Sequence, residues 1–172
     1  VVDSFAANGK HKYSQYFNFP NDKVQIDEEN NRVLTSYNKD NLVIVPVNKV
    51  DMVLEESWVS TDYNLKEKAL SAEFFSNATG FTSFISLLYF PEQTTLNYKK
   101  VPVYSRRDKL LDETDVEAIA LEVNGKEYIF VVVHNSPAPA ENFFVVEGQY
   151  VRGEVILLEK LAQGYSTTII KE

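Results

Sequence analysis

The sequence predicts an all-β protein, a two-layer antiparallel β-sandwich of about a dozen strands with little or no helix. Apolar and polar side chains alternate with a period of two along most of the chain, as they do in strands with one buried face. Turn-forming residues interrupt these runs at short intervals, and few segments have helical periodicity. About a dozen strands in 172 residues favour two stacked sheets whose inward side chains fill the space between them.

The first expected element is a hairpin at Asn8-Gly9. An apolar run over residues 1–7 precedes this pair, and residues 12–19 alternate after it. Asn-Gly suits a type I′ turn because both central residues of that turn need a positive φ. Since the chain opens in the middle of an apolar run, we expect it to begin inside a sheet, as if cut from something longer.

Further strands follow in order, separated by polar or Pro-containing turns. Those of the first half are expected over residues 24–27, 32–37, 42–47, 50–60, 70–75 and 81–90. Those of the second half are expected over residues 116–123, 126–133, 143–147, 151–159 and 165–170, with a second hairpin at Asn124-Gly125. Helix is poorly supported: helix-forming residues occur at 64–72 and 105–119, and only the second segment has room for a turn or two of helix before its later half continues as strand. Residues 135–140 are expected to form a surface loop.

Composition limits the class of protein. With 172 residues, 44% of them hydrophobic, residues 1–172 are expected to form a single domain with a buried core. A net charge of −8 argues against a nucleic-acid partner, which needs a basic surface. The apolar runs are far shorter than the roughly 20 residues of a membrane span. The absence of cysteine excludes disulfides and thiolate metal sites, and leaves periplasmic, secreted and cytoplasmic locations all open.

The two histidines are the first candidate functional residues. His11 follows the first expected turn and fits an ordinary surface position. His134 ends an apolar strand just before the loop, where binding groups are commonly displayed. A metal site would need both histidines and a carboxylate, and no serine lies in a nucleophile motif. The sequence therefore predicts no catalytic residue and no metal site.

The aromatic side chains are the second lead, since they make up 13% of the chain. Most of them alternate as core residues do. Trp58 and Tyr63 instead lie among polar neighbours, which indicates the end or rim of a strand. Two roles stay open for them and for the histidines: carbohydrate binding, or contact with a neighbouring module.

Several segments carry a resemblance to a known family. They are residues 1–5 (VVDSF), 9–11 (GKH), 15–18 (QYFN), 58–63 (WVSTDY), 86–91 (SLLYFP), 124–125 (NG) and 147–148 (EG). In this order they resemble the C-terminal β-sandwich of heparinase II/III-like polysaccharide lyases. The resemblance is spread over roughly the whole chain.

The resemblance implies that the chemistry lies outside this chain. In such lyases a helical toroid supplies the Tyr and His that perform β-elimination next to a uronic acid. Any divalent metal would be held by residues upstream of Val1, so no cofactor is expected here. The implied partners are that N-terminal helical catalytic domain and, through the parent protein, an acidic polysaccharide. The chain alone is then expected to be inactive.

A second hypothesis stays open beside the first. The chain would be a free-standing carbohydrate-binding or adhesin-like β-sandwich that uses exposed aromatic side chains such as Trp58 and Tyr63.

Overall fold

The computed structural model describes residues 1–135 and 143–171, and within these ranges the chain forms strands and no helix. The fourteen strands of this described part are β1 Val2–Phe19, β2 Val24–Asp27, β3 Arg32–Thr35, β4 Val43–Pro46, β5 Asp51–Val59, β6 Glu67–Tyr89, β7 Leu96–Val101, β8 Val103–Ser105, β9 Val116–Val123, β10 Lys126–Val133, β11 Phe143–Val146, β12 Gln149–Arg152, β13 Val155–Lys160 and β14 Tyr165–Lys171. The predicted all-β antiparallel sandwich is confirmed. In the described part, no helix is long and apolar enough to cross a membrane.

The chain divides into two compact units, Val1–Gln93 and Thr94–Glu172. The first contains β1 to β6, and the second contains β7 to β14. The expectation of a single domain over residues 1–172 stays a prediction. Most of the loop expected at residues 135–140 falls on residues 136–140, which lie outside the described residues.

The first unit is organised around one long two-stranded ribbon. β1 pairs with β6 from Val2 opposite Ile85 to Phe19 opposite Leu70. The other edge of β6 pairs with β5 near its beginning and with β4 near its end, and β3 and β2 complete the six-stranded sheet.

The ribbon bends back on itself. Gln15 lies near the end of β1, yet its Nε2 donates to Oδ2 of Asp3 at 2.6 Å, near the beginning of the same strand. Its Oε1 accepts from the Ser86 hydroxyl at 2.5 Å. The two ends of the ribbon therefore face each other, and the bent sheet forms both layers around one core. The buried members of that core are Phe19, Val24, Val33, Ile44, Ala72, Phe74 and Phe84.

The hairpin predicted at Asn8-Gly9 is wrong. β1 continues through this pair, and its register on β6 shifts from Ala7 opposite Gly80 to Lys10 opposite Thr79. Gly9 has the positive φ expected of it (88°), but the residue serves a β-bulge, which bends a strand and increases its twist. Both halves of β1 pair with β6, which runs unbroken over the two strands expected at 70–75 and 81–90.

The second unit consists of two sheets that share a core. One has the strand order β14-β13-β10-β9-β7, and the other has the order β12-β11-β8. Buried side chains from both sheets form one cluster, which includes Val131, Ile156 and Leu158 from the first sheet and Phe144 and Val146 from the second. Packing alternating apolar side chains between two sheets in this way is what defines a sandwich.

In the second unit one predicted hairpin is confirmed, one predicted strand is divided in two, and two further strands were not predicted. Asn124 and Gly125 have φ values of 51° and 77° and join β9 to β10 with Val123 opposite Lys126, as the predicted hairpin requires. The strand expected over 151–159 is interrupted by Gly153 and forms β12 and β13. Strands β7 and β8 were not predicted, because lysines and a proline interrupt their short apolar pattern.

Candidate functional site

His134 makes a buried contact with a carboxylate in the second unit. Its backbone N–H donates to the carbonyl of Asp115 at 2.8 Å, which fixes the residue just beyond the end of β10. Its Nε2 lies 2.8 Å from Oε2 of Glu117 on β9, and both side chains are only 1% exposed. The structure thus encloses the imidazole, although its position at a strand end had suggested display to a ligand.

Lys100 of β7 extends this pair into a network. Its Nζ lies 2.7 Å from Oε1 of Glu117 and 2.6 Å from Oε2 of Glu113. Partial burial lowers the pKa of Lys100, but the hydrogen bonds to Glu113 and Glu117 outweigh it, so the pKa lies above its ordinary value. Glu117 is therefore held between a permanent cation and His134. We call Lys100, Glu113, Glu117 and His134 the Lys100 network.

His11 is exposed and belongs to the bulge of the first unit. Its Nε2 lies 2.9 Å from the carbonyl oxygen of Asn8, and its ring centroid is 5.9 Å from that of Tyr13. The contact between His11 and Asn8 thus links residues on either side of Gly9 in the bulge. His11 is in the first unit and His134 is in the second, so the two histidines serve separate local structures.

Trp58 lies near the end of β5, and Tyr63 lies on the connection between β5 and β6. Trp58 is 53% exposed, and Nζ of Lys66 lies 4.3 Å from the centroid of its indole ring, a cation–π geometry. Tyr63 is 90% exposed. Leu65 is also exposed on this connection, so the end of β5 and the connection after it together expose three large apolar side chains. We call Trp58, Tyr63 and Leu65 the aromatic tip.

Sequence reasoning missed a carboxylate on β6. Glu73 is 1% exposed, and its Oε1 accepts from Ser14 at 2.6 Å, from Tyr16 at 2.9 Å and from the Lys12 ammonium at 2.6 Å. Burial raises the pKa of Glu73, but these three donors outweigh burial and leave the pKa below its ordinary value. Since Lys12, Ser14 and Tyr16 alternate along β1, their common face was visible in the sequence, but their partner on β6 was not.

The contacts with Glu73 also raise the pKa values of its two titratable neighbours, Lys12 and Tyr16. The hydrogen bond to the carboxylate is the main cause for Lys12 and for Tyr16, because it favours the ammonium and the protonated phenol. A phenol whose pKa is raised is a poor proton acceptor near neutral pH. The cluster therefore has the properties of a structural hydrogen-bond network.

The described residues do not form a metal centre. No group of three or more His, Asp or Glu side chains within residues 1–135 and 143–171 is arranged to hold a metal ion. The expectations that this chain needs no cofactor, and that His11, His134, Trp58 and Tyr63 contact carbohydrate or a neighbouring module, stay predictions.

Comparison with known proteins shows that this chain shares its fold with parts of two solved structures. No protein-family model matches the chain, and no curated protein sequence matches it. Among solved structures, heparan sulfate lyase HepC from Pedobacter heparinus matches 80% of this chain with a TM-score of 0.60 and 21% identity. The structure of heparinase III, the BT4657 gene product with methylated lysines, matches 77% of this chain with a TM-score of 0.57 and 19% identity.

The chain spans only 22% and 21% of the lengths of these two proteins. At this level of identity the likeness establishes the fold. The heparinase-like sandwich that the sequence segments suggested is thereby confirmed as the fold of this chain.

Proposed function

We propose that this chain is the C-terminal β-sandwich module of a heparinase II/III-like polysaccharide lyase, and that it supports the catalytic domain without performing chemistry itself. The observation that carries the proposal is the shared fold with a heparan sulfate lyase of which this chain matches only 22%. The unmatched part of such an enzyme is long enough to contain a separate catalytic domain.

The environment of the titratable groups supports a structural role. β-Elimination next to a uronic acid requires a base that removes the proton α to the carboxylate and an acid that protonates the leaving oxygen. His134 is enclosed with Glu117, and the Tyr16 hydroxyl donates to Glu73. Because the His134 imidazole and the Tyr16 phenol are engaged in contacts within the module, the proposed source of acid and base is the helical domain of the parent.

The aromatic tip is the proposed contact with that domain. Trp58, Tyr63 and Leu65 would bury a large apolar area against a helical surface, and aromatic side chains are enriched at such interfaces. Lys66 lies on the indole and would keep one side of the contact polar.

The test uses the parent gene and a lyase assay. The reading frame upstream of Val1 should encode a long helical domain, and the whole parent should produce the ultraviolet absorbance of an unsaturated uronate from an acidic polysaccharide. The isolated 172-residue chain should produce none. Absorbance generated by the chain alone would contradict the non-catalytic role, and an upstream region without a helical domain would contradict the assignment to a lyase.

The exposure of Trp58 and Tyr63 also favours a second candidate, a free-standing carbohydrate-binding module. In that case the chain should bind glycans on an array, and Trp58→Ala should weaken the signal by about tenfold, since it removes the stacking surface. Tyr150→Ala, which changes an exposed tyrosine of the second unit, is the matched control. A signal peptide directly upstream would favour this candidate, whereas an array without signal would exclude it.

A further inference from the structure

A groove of about 350 Å³ opens on the five-stranded sheet of the second unit. Its walls include one cross-strand row in which Asn97 is opposite Glu122, and Glu122 is opposite Glu127. Lys160 and Tyr165 form a pair on β13 and β14 that also lines the groove. Residues directly opposite each other in a sheet point to the same face, so these side chains converge on one surface.

The floor of the groove continues the core-facing side of the sheet. Ala120 is opposite Ile129, and Ile129 is opposite the fully buried Leu158. Tyr165 packs against the same core and lines the groove. Glu147, which belongs to the turn between β11 and β12, reaches the groove from the other sheet. The groove therefore lies at one end of the sandwich of this unit, where the three-stranded sheet does not cover the inner face of the five-stranded sheet.

Hydrogen-bonding groups of both kinds surround this floor. Lys99, Lys160 and Asn97 supply donors, and the carboxylates of Glu122, Glu127 and Glu147 supply acceptors. Some of these groups are already positioned by one another. Nζ of Lys160 lies 2.6 Å from Oε2 of Glu127, and Nδ2 of Asn97 donates to Oε2 of Glu122 at 3.4 Å.

We propose that this groove binds an uncharged saccharide. A sugar ring offers an apolar C–H face, which fits the Tyr165 ring and the aliphatic floor. Its hydroxyls both donate and accept, which fits a rim of paired carboxylates and ammonium groups. The volume falls within the range of about 300–1,000 Å³ that is usual for small-ligand sites.

The charges of the groove argue against the other classes of ligand. Three carboxylates and two ammonium groups give it a net negative charge, which repels a sulfated or uronate polymer. An apolar ligand would leave this charged rim desolvated without partners. The charged rim and the apolar floor together therefore favour an uncharged ligand that carries hydroxyl groups.

The test is a titration of the ¹⁵N-labelled 172-residue chain, followed by amide chemical shifts. The neutral probes are tetrasaccharides of glucose, xylose and N-acetylglucosamine, and the charged probes are a heparin tetrasaccharide and a glucosamine tetrasaccharide. At least one neutral probe should shift amides of β9, β10 and β14 in a saturable manner. The proposal is overturned if no neutral probe binds, if only a charged probe binds, or if the shifts map away from the groove.

Two variants locate the binding. Tyr165→Ala should weaken the neutral sugar by about tenfold through loss of stacking, whereas Tyr150→Ala on the three-stranded sheet should leave affinity unchanged. If Tyr165→Ala fails to fold, the double variant Glu122→Gln, Glu127→Gln changes side chains at the open end of the sheet. It should weaken the neutral sugar and strengthen the heparin probe; the opposite pattern contradicts the proposal. Because no lyase assay is involved, the outcome is independent of the proposed function.

Discussion

The carboxylate of Glu117 lies 2.8 Å from the imidazole of His134 in a pair of which each side chain is 1% exposed. The second oxygen of Glu117 contacts Lys100, so a buried negative charge has a cation on one side and an imidazole on the other. Removing one member of a buried pair leaves the other without compensation in a medium of low polarity, which costs more than the pair itself contributes.

We expect Glu117→Ala to lower the free energy of unfolding by about 3–5 kcal/mol, the usual cost of breaking a buried ion pair. Urea denaturation monitored by circular dichroism measures the change. His134→Ala should also destabilise the protein, whereas His11→Ala, which alters an exposed histidine, should stay within about 0.5 kcal/mol of the native chain. Equal effects of the two histidine substitutions would contradict the structural role of His134.

Glu73 makes stability depend on acidity. Its pKa in the folded state is lower than in the unfolded chain, so its contribution is present above the unfolded value and is lost as pH falls through the folded one. We expect Glu73→Gln to remove part of the acid dependence of the unfolding midpoint, as measured by urea titrations below pH 5. Glu56→Gln, at an exposed position of β5, is the control, and it should leave the contribution of Glu73 to the acid dependence in place.

Lys12 and Tyr16 give the opposite dependence at alkaline pH. Because their pKa values are raised in the folded state, both contribute stability below their unfolded values and lose it as pH rises through the folded values. Spectrophotometric titration should show one tyrosine ionising later than free tyrosine, and Tyr16→Phe should remove that transition. If the late transition persists in Tyr16→Phe, another tyrosine is responsible.

Gly9→Ala should destabilise the chain by about 1–2 kcal/mol, because a φ of 88° is unfavourable for a residue with a Cβ atom. The nearest atom to that Cβ would be Nε2 of His11 at 3.8 Å, an ordinary contact, so the cost lies in the backbone. Thermal unfolding measures it. Gly9→Asn should cost less, since asparagine tolerates this conformation better; an equal cost for both variants would point to a steric cause.

The core and the aromatic tip should respond differently to truncation. Phe74 is fully buried in the first unit, and Phe74→Ala should cost about 3–5 kcal/mol. Trp58→Ala removes an exposed ring and its contact with Lys66, for which about 0.5–1 kcal/mol is expected. Urea denaturation of the two variants compares them. A large loss for Trp58→Ala would mean that the tip is needed for folding rather than for contact with a partner.

Two identical dipeptides show how far the sequence predicts the fold. Asn124-Gly125 forms the expected hairpin, whereas Asn8-Gly9 forms a bulge within one strand. Both pairs satisfy the local requirement for positive φ. What differs is the pairing partner: β9 and β10 pair with each other, but both halves of β1 pair with β6. A local pattern carries no information about a partner more than fifty residues away.

The candidate site residues were likewise predicted only in part: their local positions followed from the sequence, but their contact partners did not. The polar neighbours of Trp58 correctly indicated an exposed position at the end of a strand. The location of His134 at the end of β10 was predicted, but its enclosure by Glu117 depends on the register of β9 and β10. Glu73 was not identified, because its three donors lie on another strand. Alternation predicts which face a side chain occupies, and only the pairing determines what it meets.

The pairing of β1 with β6 also has a consequence for biosynthesis. The backbone nitrogen of Val1 lies 2.9 Å from the carbonyl oxygen of Ser86, 85 residues further along the chain. On a ribosome the first strand leaves the exit tunnel long before its partner exists, and its backbone groups stay unpaired during that interval. Contacts between residues so distant in sequence also slow folding. We therefore expect the first unit to acquire its fold only after β6 has emerged, so that a chain stalled before Leu70 remains sensitive to protease.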